Sequence, residues 1–169
     1  NYHDNEWRKP VYDDETIFEF LILETFQAGL SWYTVLAKRE NFRKAFDNFD
    51  LMKIANYSED KMDALAEDAG IIRNKLKIKA TVTNAQAFIK VQEEFGSFSK
   101  YIWGFVDGKP IDNKPKTLNE VKATTPISDA LSKDLKKRGF KFVGSTVMYA
   151  HMQATGMVND HVMDCWTRK

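Results

Sequence analysis

A glutamate stands inside the apolar run Phe20-Leu-Ile-Leu-Glu-Thr-Phe26. On a helix, Phe20, Glu24, Gln27 and Ala28 fall at neighbouring positions of one face. A carboxylate among Phe20, Leu23 and Phe26 must be paired, hydrogen-bonded or set at a pocket wall, because burying a bare charge is expensive. Gly29-Leu30 then reads as a loop tip carrying an apolar side chain, with Trp32 behind it. The same residues also fit a surface Glu beside a core Trp, and taken alone that reading is as good as a site.

Three further groups have the types and spacing for chemistry. The first is Leu65 to Ile78, where a helix runs into Ala69-Gly70, Ile71-Ile72 and then Arg73, Lys75 and Lys77, with Lys79 just beyond. A tight glycine turn exposes backbone N–H groups at a helix start, and such groups attract phosphate. Nearby cations add the sequence-independent part of nucleic-acid binding. The bland reading is a helical hairpin with a solvated basic face. Ile72 stands where the commonest DNA-binding hairpins have a second glycine.

The second group joins the ends of the chain. His161 and Cys165 are one helical turn apart, a spacing that puts imidazole and thiolate on one metal. His3 is a candidate third ligand, and no fourth is present in the sequence. An isolated pair of this kind more often caps a helix and fills a core. The third group is Ser132 to Thr146, with five basic residues between Lys133 and Lys141. It reads either as a phosphate-contacting edge or as cations complementing a helix C-terminus. His151 reads as a packing histidine.

Composition limits the possibilities. The chain has 169 residues, with 25 basic and 24 acidic side chains and a net charge of +1. That length fits one domain with a proper core. The balance excludes a histone-like binder but leaves room for a local basic face. No apolar run is long enough for a membrane span and no signal peptide opens the chain. One cysteine, Cys165, excludes an intramolecular disulfide framework and suits a reducing, cytoplasmic compartment. The chain opens at Asn1 rather than Met.

Apolar spacing of three and four residues throughout predicts an all-α fold of eight or nine short helices. Asp13-Asp14-Glu15 starts a helix ending near Ala28-Gly29. Ser31 caps a second, with Val35, Leu36, Phe42 and Phe46 inward. Asp50 caps a short helix through Ile54, and Ser58 another through Leu65. A long helix covers about 74–94, and Ser97 to Phe105 forms a short aromatic one. Residues 107–125 read as a loop. Thr125-Pro126 reads as N-cap and first turn of a helix ending at Arg138-Gly139. Val143 to Ala154 forms a further helix, and Asn159-Asp160 starts a last one.

In order along the chain, Tyr2-His-Asp-Asn-Glu-Trp7, the segment Leu23 to Arg43 with Gln27-Ala-Gly-Leu-Ser-Trp32, Asp68-Ala-Gly-Ile-Ile-Arg-Asn74, Ala130 to Gly144, and Met152 to Cys165 resemble the type I 3-methyladenine DNA glycosylase family. The resemblance runs from residue 2 to about 165, in five collinear blocks. It implies a helix–hairpin–helix glycosylase fold of two helical lobes with the pocket between them. One lobe holds the hairpin at about 30–105; the other is formed by the termini, about 1–29 and 106–169. It implies a monofunctional, monomeric base-excision-repair enzyme that hydrolyses the N-glycosidic bond of flipped-out 3-methyladenine in double-stranded alkylated DNA and releases the free base. By residue matching, Glu24 is the key pocket carboxylate. Tyr2, Trp7, Gln27 and Trp32 line the base site, and Gly29-Leu30 probe the gap in the duplex. The hairpin residues Gly70, Ile71, Ile72, Arg73 and Lys75 hold phosphates. His3, His161 and Cys165 match three of four ligands of a structural zinc, the fourth, a cysteine, lying upstream of Asn1 together with an aromatic residue that helps close the pocket. No lysine is placed as an amine nucleophile, so no lyase step is expected. The competing readings are a non-catalytic helical DNA-binding module and the same fold with another alkylated-base preference.

Overall fold

Helix α1 (Asp14–Gln27) is the centre of the molecule. Asp13 accepts the Thr16 N–H at 2.9 Å and so satisfies an orphan donor at its start. Every residue from Phe20 to Phe26 is buried, as are Ile17 and Phe18. A helix apolar on all sides can only be stable as a core helix, and α1 touches α2, α6, α7 and α9. A computed structural model of the chain describes residues 10–27, 31–112 and 124–159, without the side chains of Trp32, Asp112 and Asn159.

Around α1 lie α2 (Trp32–Ala37), α3 (Arg39–Ala45), α4 (Leu51–Ala55), α5 (Glu59–Ala66), α6 (Lys75–Phe95), α7 (Phe98–Trp103), α8 (Pro126–Lys137) and α9 (Ser145–Ala154). The all-α expectation therefore holds, with nine α-helices among the described residues. The caps read from the sequence are in place: Ser31, Asp50, Ser58 and Thr125 each accept the backbone N–H three residues on, and Asn74 does the same at the start of α6. The core is rich in rings, for example Phe88 stacked on Phe98 at 4.1 Å and Phe26 tilted on Phe42 at 5.0 Å.

The differences from expectation have local causes. The helix predicted from Ser31 through Phe46 breaks at Lys38, whose ψ of 3° ends α2 and starts α3; Leu36 is consequently only half-buried. Val143 lies before α9 rather than inside it. Val158–Asn159 pair in parallel with Ile111–Asp112, inside the expected loop. The helix expected to start at Asn159-Asp160 lies, from Asp160 on, outside the described residues.

Two hydrogen bonds fix how α9 lies on α1. The Val11 N–H donates to the Thr155 carbonyl at 2.9 Å, and His151 Nε2 meets the Ile17 carbonyl at 3.1 Å. Numbers rise along α1 as they fall along α9, so the helices are antiparallel. Two turns on from Ile17 is Glu24, and two turns back from His151 is Gly144.

Candidate functional site

Glu24 is the outlier the sequence singled out. It is 3% exposed on the most buried helix of the fold. Its Oε2 meets no hydrogen-bond donor among the described residues. Burial pushes its carboxyl up to about 8, because desolvation penalises the charged form. A glutamate at the surface of α1 would cost nothing; this one costs stability and has no compensating partner among the described residues. An unsatisfied buried acceptor of that kind is what a ligand-directed carboxyl looks like before its ligand arrives.

The other proposed pocket residues are only partly in view. Gln27 ends α1, half-buried, one turn from Glu24. Trp32 is the first residue of α2, directly after the N-cap Ser31. The backbone thus brings the positions of Glu24, Gln27 and Trp32 to the junction of α1 and α2. Tyr2, Trp7, Gly29 and Leu30 lie outside the described residues. α3 is pinned to α1 near this junction: Glu19 accepts from Arg39 at 2.7 Å and from Arg43 at 2.9 Å.

The α5–α6 turn is built around Gly70. A Cβ there would sit 3.1 Å from Asp68 Oδ1 and 3.3 Å from Asn41 Cγ, so those side chains would have to give by a few tenths of an ångström to admit one. The Gly70 N–H is taken by Asp68 Oδ1 at 2.8 Å. The N–H groups of Ile72 and Arg73 bond to no described residue. Ile71 is core, 3% exposed, and Arg73 and Lys75 face solvent. Lys75 pairs with exposed Asp63 at 2.7 Å, which raises its pKa.

Lys77 corrects the sequence reading. It belongs to the basic series 73–79 but does not face solvent: it is 8% exposed, and its Nζ reaches the Phe26 carbonyl at 3.4 Å. Burial lowers its pKa. The contact ties the first turn of α6 to the last turn of α1, so the hairpin turn and the α1–α2 junction lie side by side. No pattern in the sequence distinguishes this lysine from its solvated neighbours, since the contact spans from residue 26 to residue 77.

The second basic run is also divided by the structure. Arg138 is committed to the fold: it pairs with Asp134 at 2.7 Å and with Glu94 at 3.1 Å, and lies over the rings of Phe95 and Tyr101. Lys133, Lys136, Lys137 and Lys141 are exposed. His151 is wholly buried, as a packing histidine should be. Its partner is a carbonyl, so Nε2 carries the hydrogen, and Nδ1 is left without a partner.

The three proposed metal ligands, His3, His161 and Cys165, lie outside the described residues. Among the described residues no three His, Cys, Asp or Glu side chains are grouped to hold a metal ion. A cavity of about 460 Å³ lies near the opposite end of α1, lined by Glu15, Phe18 and residues 47–53. Two of its polar groups are already used, Asp47 by the Tyr57 hydroxyl at 2.6 Å and Asp50 by the start of α4. No helix among the described residues is long and apolar enough to cross a membrane.

Comparison with known proteins agrees with this geometry. The family model for methyladenine glycosylase matches residues 1–169. The chain is 50% identical over 164 residues to DNA-3-methyladenine glycosylase 1 of Escherichia coli (strain K12), covering 97% of this chain and 88% of that one. It is 48% identical over 165 residues to the DNA-3-methyladenine glycosylase of Haemophilus influenzae (strain ATCC 51907 / DSM 11121 / KW20 / Rd), covering 98% and 89%. Its structure superposes with a TM-score of 0.97, at 37% identity, on 3-methyladenine DNA glycosylase I from Staphylococcus aureus, solved to explain 3-methyladenine recognition; the match covers 100% of this chain and 90% of that one.

Proposed function

The chain belongs to the methyladenine glycosylase family, and on that premise we propose that it excises 3-methyladenine from alkylated DNA by hydrolysing the N-glycosidic bond. It is a DNA glycosylase of base-excision repair, like the relatives it matches across almost its whole length. The observation that carries the reading is Glu24, a carboxyl buried on the central helix with an unfilled acceptor.

N3-methylation leaves the base cationic in the nucleotide. A cation entering the pocket supplies the charge that Glu24 lacks in the free protein, so the carboxyl ionises and pairs with it. A neutral adenine offers no such gain, and its bond to the sugar leaves with more difficulty. The selectivity is thus electrostatic, with the Trp32 ring as the wall on which a cationic base stacks. The N9–C1′ bond breaks with both electrons going to N9, which neutralises the base. Water adds its oxygen to C1′ and gives up a proton, leaving an abasic site. Glu24 acts on the base, by recognition and charge stabilisation.

The duplex must present the nucleotide outside its stack. In this reading Gly29-Leu30 occupy the gap, and the α5–α6 turn is a helix–hairpin–helix element holding phosphate. What supports the second role is the pair of open N–H groups at Ile72 and Arg73 beside exposed Arg73 and Lys75. What supports a common surface is Lys77, which joins the hairpin helix to the end of α1. The pocket then lies between a lobe of about 30–105 and a lobe from the two ends. The substrate is double-stranded, the enzyme acts as a monomer in the cytoplasm, and no lyase step follows.

We further propose a structural zinc on His3, His161 and Cys165. Two imidazoles and a thiolate suit zinc, and a four-coordinate closed site has no chemistry of its own to add. The bond from Val11 to Thr155 supports the set, since it brings the stretches leading to His3 and His161 together. Cys165→Ala is expected to lose zinc by elemental analysis and to lower the thermal midpoint.

The test of function is release of free 3-methyladenine from methylated duplex DNA. Release supports the reading; duplex binding without release would support a non-catalytic DNA-binding module. A panel of alkylated bases in the same assay settles the base preference.

A further inference from the structure

We propose that the Lys141–Phe142 loop is a second DNA-contacting element, with the Phe142 ring packed against the duplex beside the extruded nucleotide and Lys141 paired with a neighbouring phosphate. The inference rests on the glycosylase reading, but its observations are independent of Glu24.

Phe142 combines two features that cost a fold and return nothing to it. Its φ is +58°, in the left-handed region where a side chain is strained. Its ring is 44% exposed. Such a conformation persists only where its neighbours enforce it. They do so here from both sides. Phe140 and Val143 are buried anchors, 2% and 1% exposed. The Ser132 hydroxyl donates to the Val143 carbonyl at 2.6 Å. Asn84, wholly buried on α6, donates to the Lys141 carbonyl at 3.0 Å and accepts the Lys141 N–H at 2.7 Å. A buried side-chain amide is therefore spent on clamping the backbone immediately before an exposed, strained aromatic residue.

The loop is clamped at the right place. Asn84 and Lys77 are two turns apart on α6, about 10 Å, and Lys77 touches the end of α1. On antiparallel α1 and α9, Glu24 and Gly144 both lie two turns from the Ile17–His151 bond, toward the same end. Both routes put the loop on the side of the molecule that holds the pocket carboxyl and the hairpin. The occupant that fits is duplex DNA. An apolar ring can fill the space opened between bent base steps, and Lys141 supplies a cation beside it. A neutral apolar partner would leave that lysine without a role.

The experiment uses the whole protein and three probes: a duplex with an abasic-site analogue, a methylated duplex, and free 3-methyladenine. The variants are Phe142→Gly, Phe142→Ala and Phe142→Trp. Phe142→Gly is expected to hold or raise the thermal midpoint, because glycine takes the left-handed backbone freely. It and Phe142→Ala are expected to bind the abasic duplex about ten-fold more weakly, with binding of free 3-methyladenine unchanged; Phe142→Trp retains wild-type duplex binding. Unchanged duplex affinity in the first two variants overturns the proposal, and so does an equal loss of free-base binding, which would place Phe142 in the pocket. A wild-type protein that neither binds the duplex nor releases base overturns the glycosylase reading and this proposal with it.

Discussion

Two buried titratable groups sit two helical turns apart along α1, and they are opposites. His151 closes on the Ile17 carbonyl near one end; Glu24 lies toward the other with an empty acceptor. Burial neutralises both, pushing the histidine down to about 4 and the glutamate up to about 8. The histidine has a partner in the protein and serves the fold. The glutamate lacks one, and its neutral form stores the capacity to become charged. The pair shows that desolvation alone does not mark a site; what sets Glu24 apart is a carboxyl with no partner among the described residues.

The comparison fixes opposite pH responses. The folded-state pKa of Glu24 lies above its ordinary value of 4.5, so its stabilising contribution is complete below 4.5 and lost as pH rises toward 8. The folded-state pKa of His151 lies below its ordinary 6.5, so its contribution is complete above 6.5 and lost as pH falls toward 4. From about 4.5 to 6.5 the two slopes cancel.

The largest effect is expected on catalysis. Glu24→Gln keeps the shape and removes the ability to ionise, and excision of 3-methyladenine should fall at least about 100-fold, the scale of one lost charge contact in a closed site. Retained activity in single-turnover assays would dissolve the contrast. Next comes stability. His151→Ala should cost roughly 2–4 kcal/mol in urea unfolding at pH 7 and should let stability rise as pH falls from 6.5 to 4.5, where the Glu24 slope is no longer opposed. From pH 6.5 to 8, wild type should lose roughly 2 kcal/mol through Glu24, whereas Glu24→Gln should stay flat. A smaller effect is expected at Gly70→Ala, where Asp68 and Asn41 must give way: about 1 kcal/mol of stability and weaker duplex binding, with free-base binding unchanged. The smallest is Lys75→Ala. Breaking an exposed pair with Asp63 should leave stability unchanged within error, while the salt dependence of duplex binding loses about one counterion.

What was legible in the sequence follows from how far each cause reaches. The caps at Ser31, Asp50, Ser58 and Thr125 were legible because a capping side chain bonds three residues away. Glu24 was legible because a charge inside an apolar run is anomalous wherever the helix packs. Lys77 was not, since its burial depends on α1 ending beside α6. Nor was the anchoring of Asp14, whose carboxylate accepts the N–H groups of Phe98 and Ser99 at the start of α7. The left-handed Phe142 was hidden for the same reason: its neighbours are held by Asn84 and Ser132, from elsewhere in the chain.

The central claim is that Glu24 is buried, uncharged and unpaired until a cationic base arrives. A carbon-13 NMR titration of the side-chain carboxyls in the free protein tests it directly, with the Glu24 resonance assigned by its disappearance in Glu24→Gln. The account predicts a midpoint near pH 8. A midpoint near 4.5, the ordinary glutamate value, would mean the carboxyl is solvated or already paired, and would contradict it.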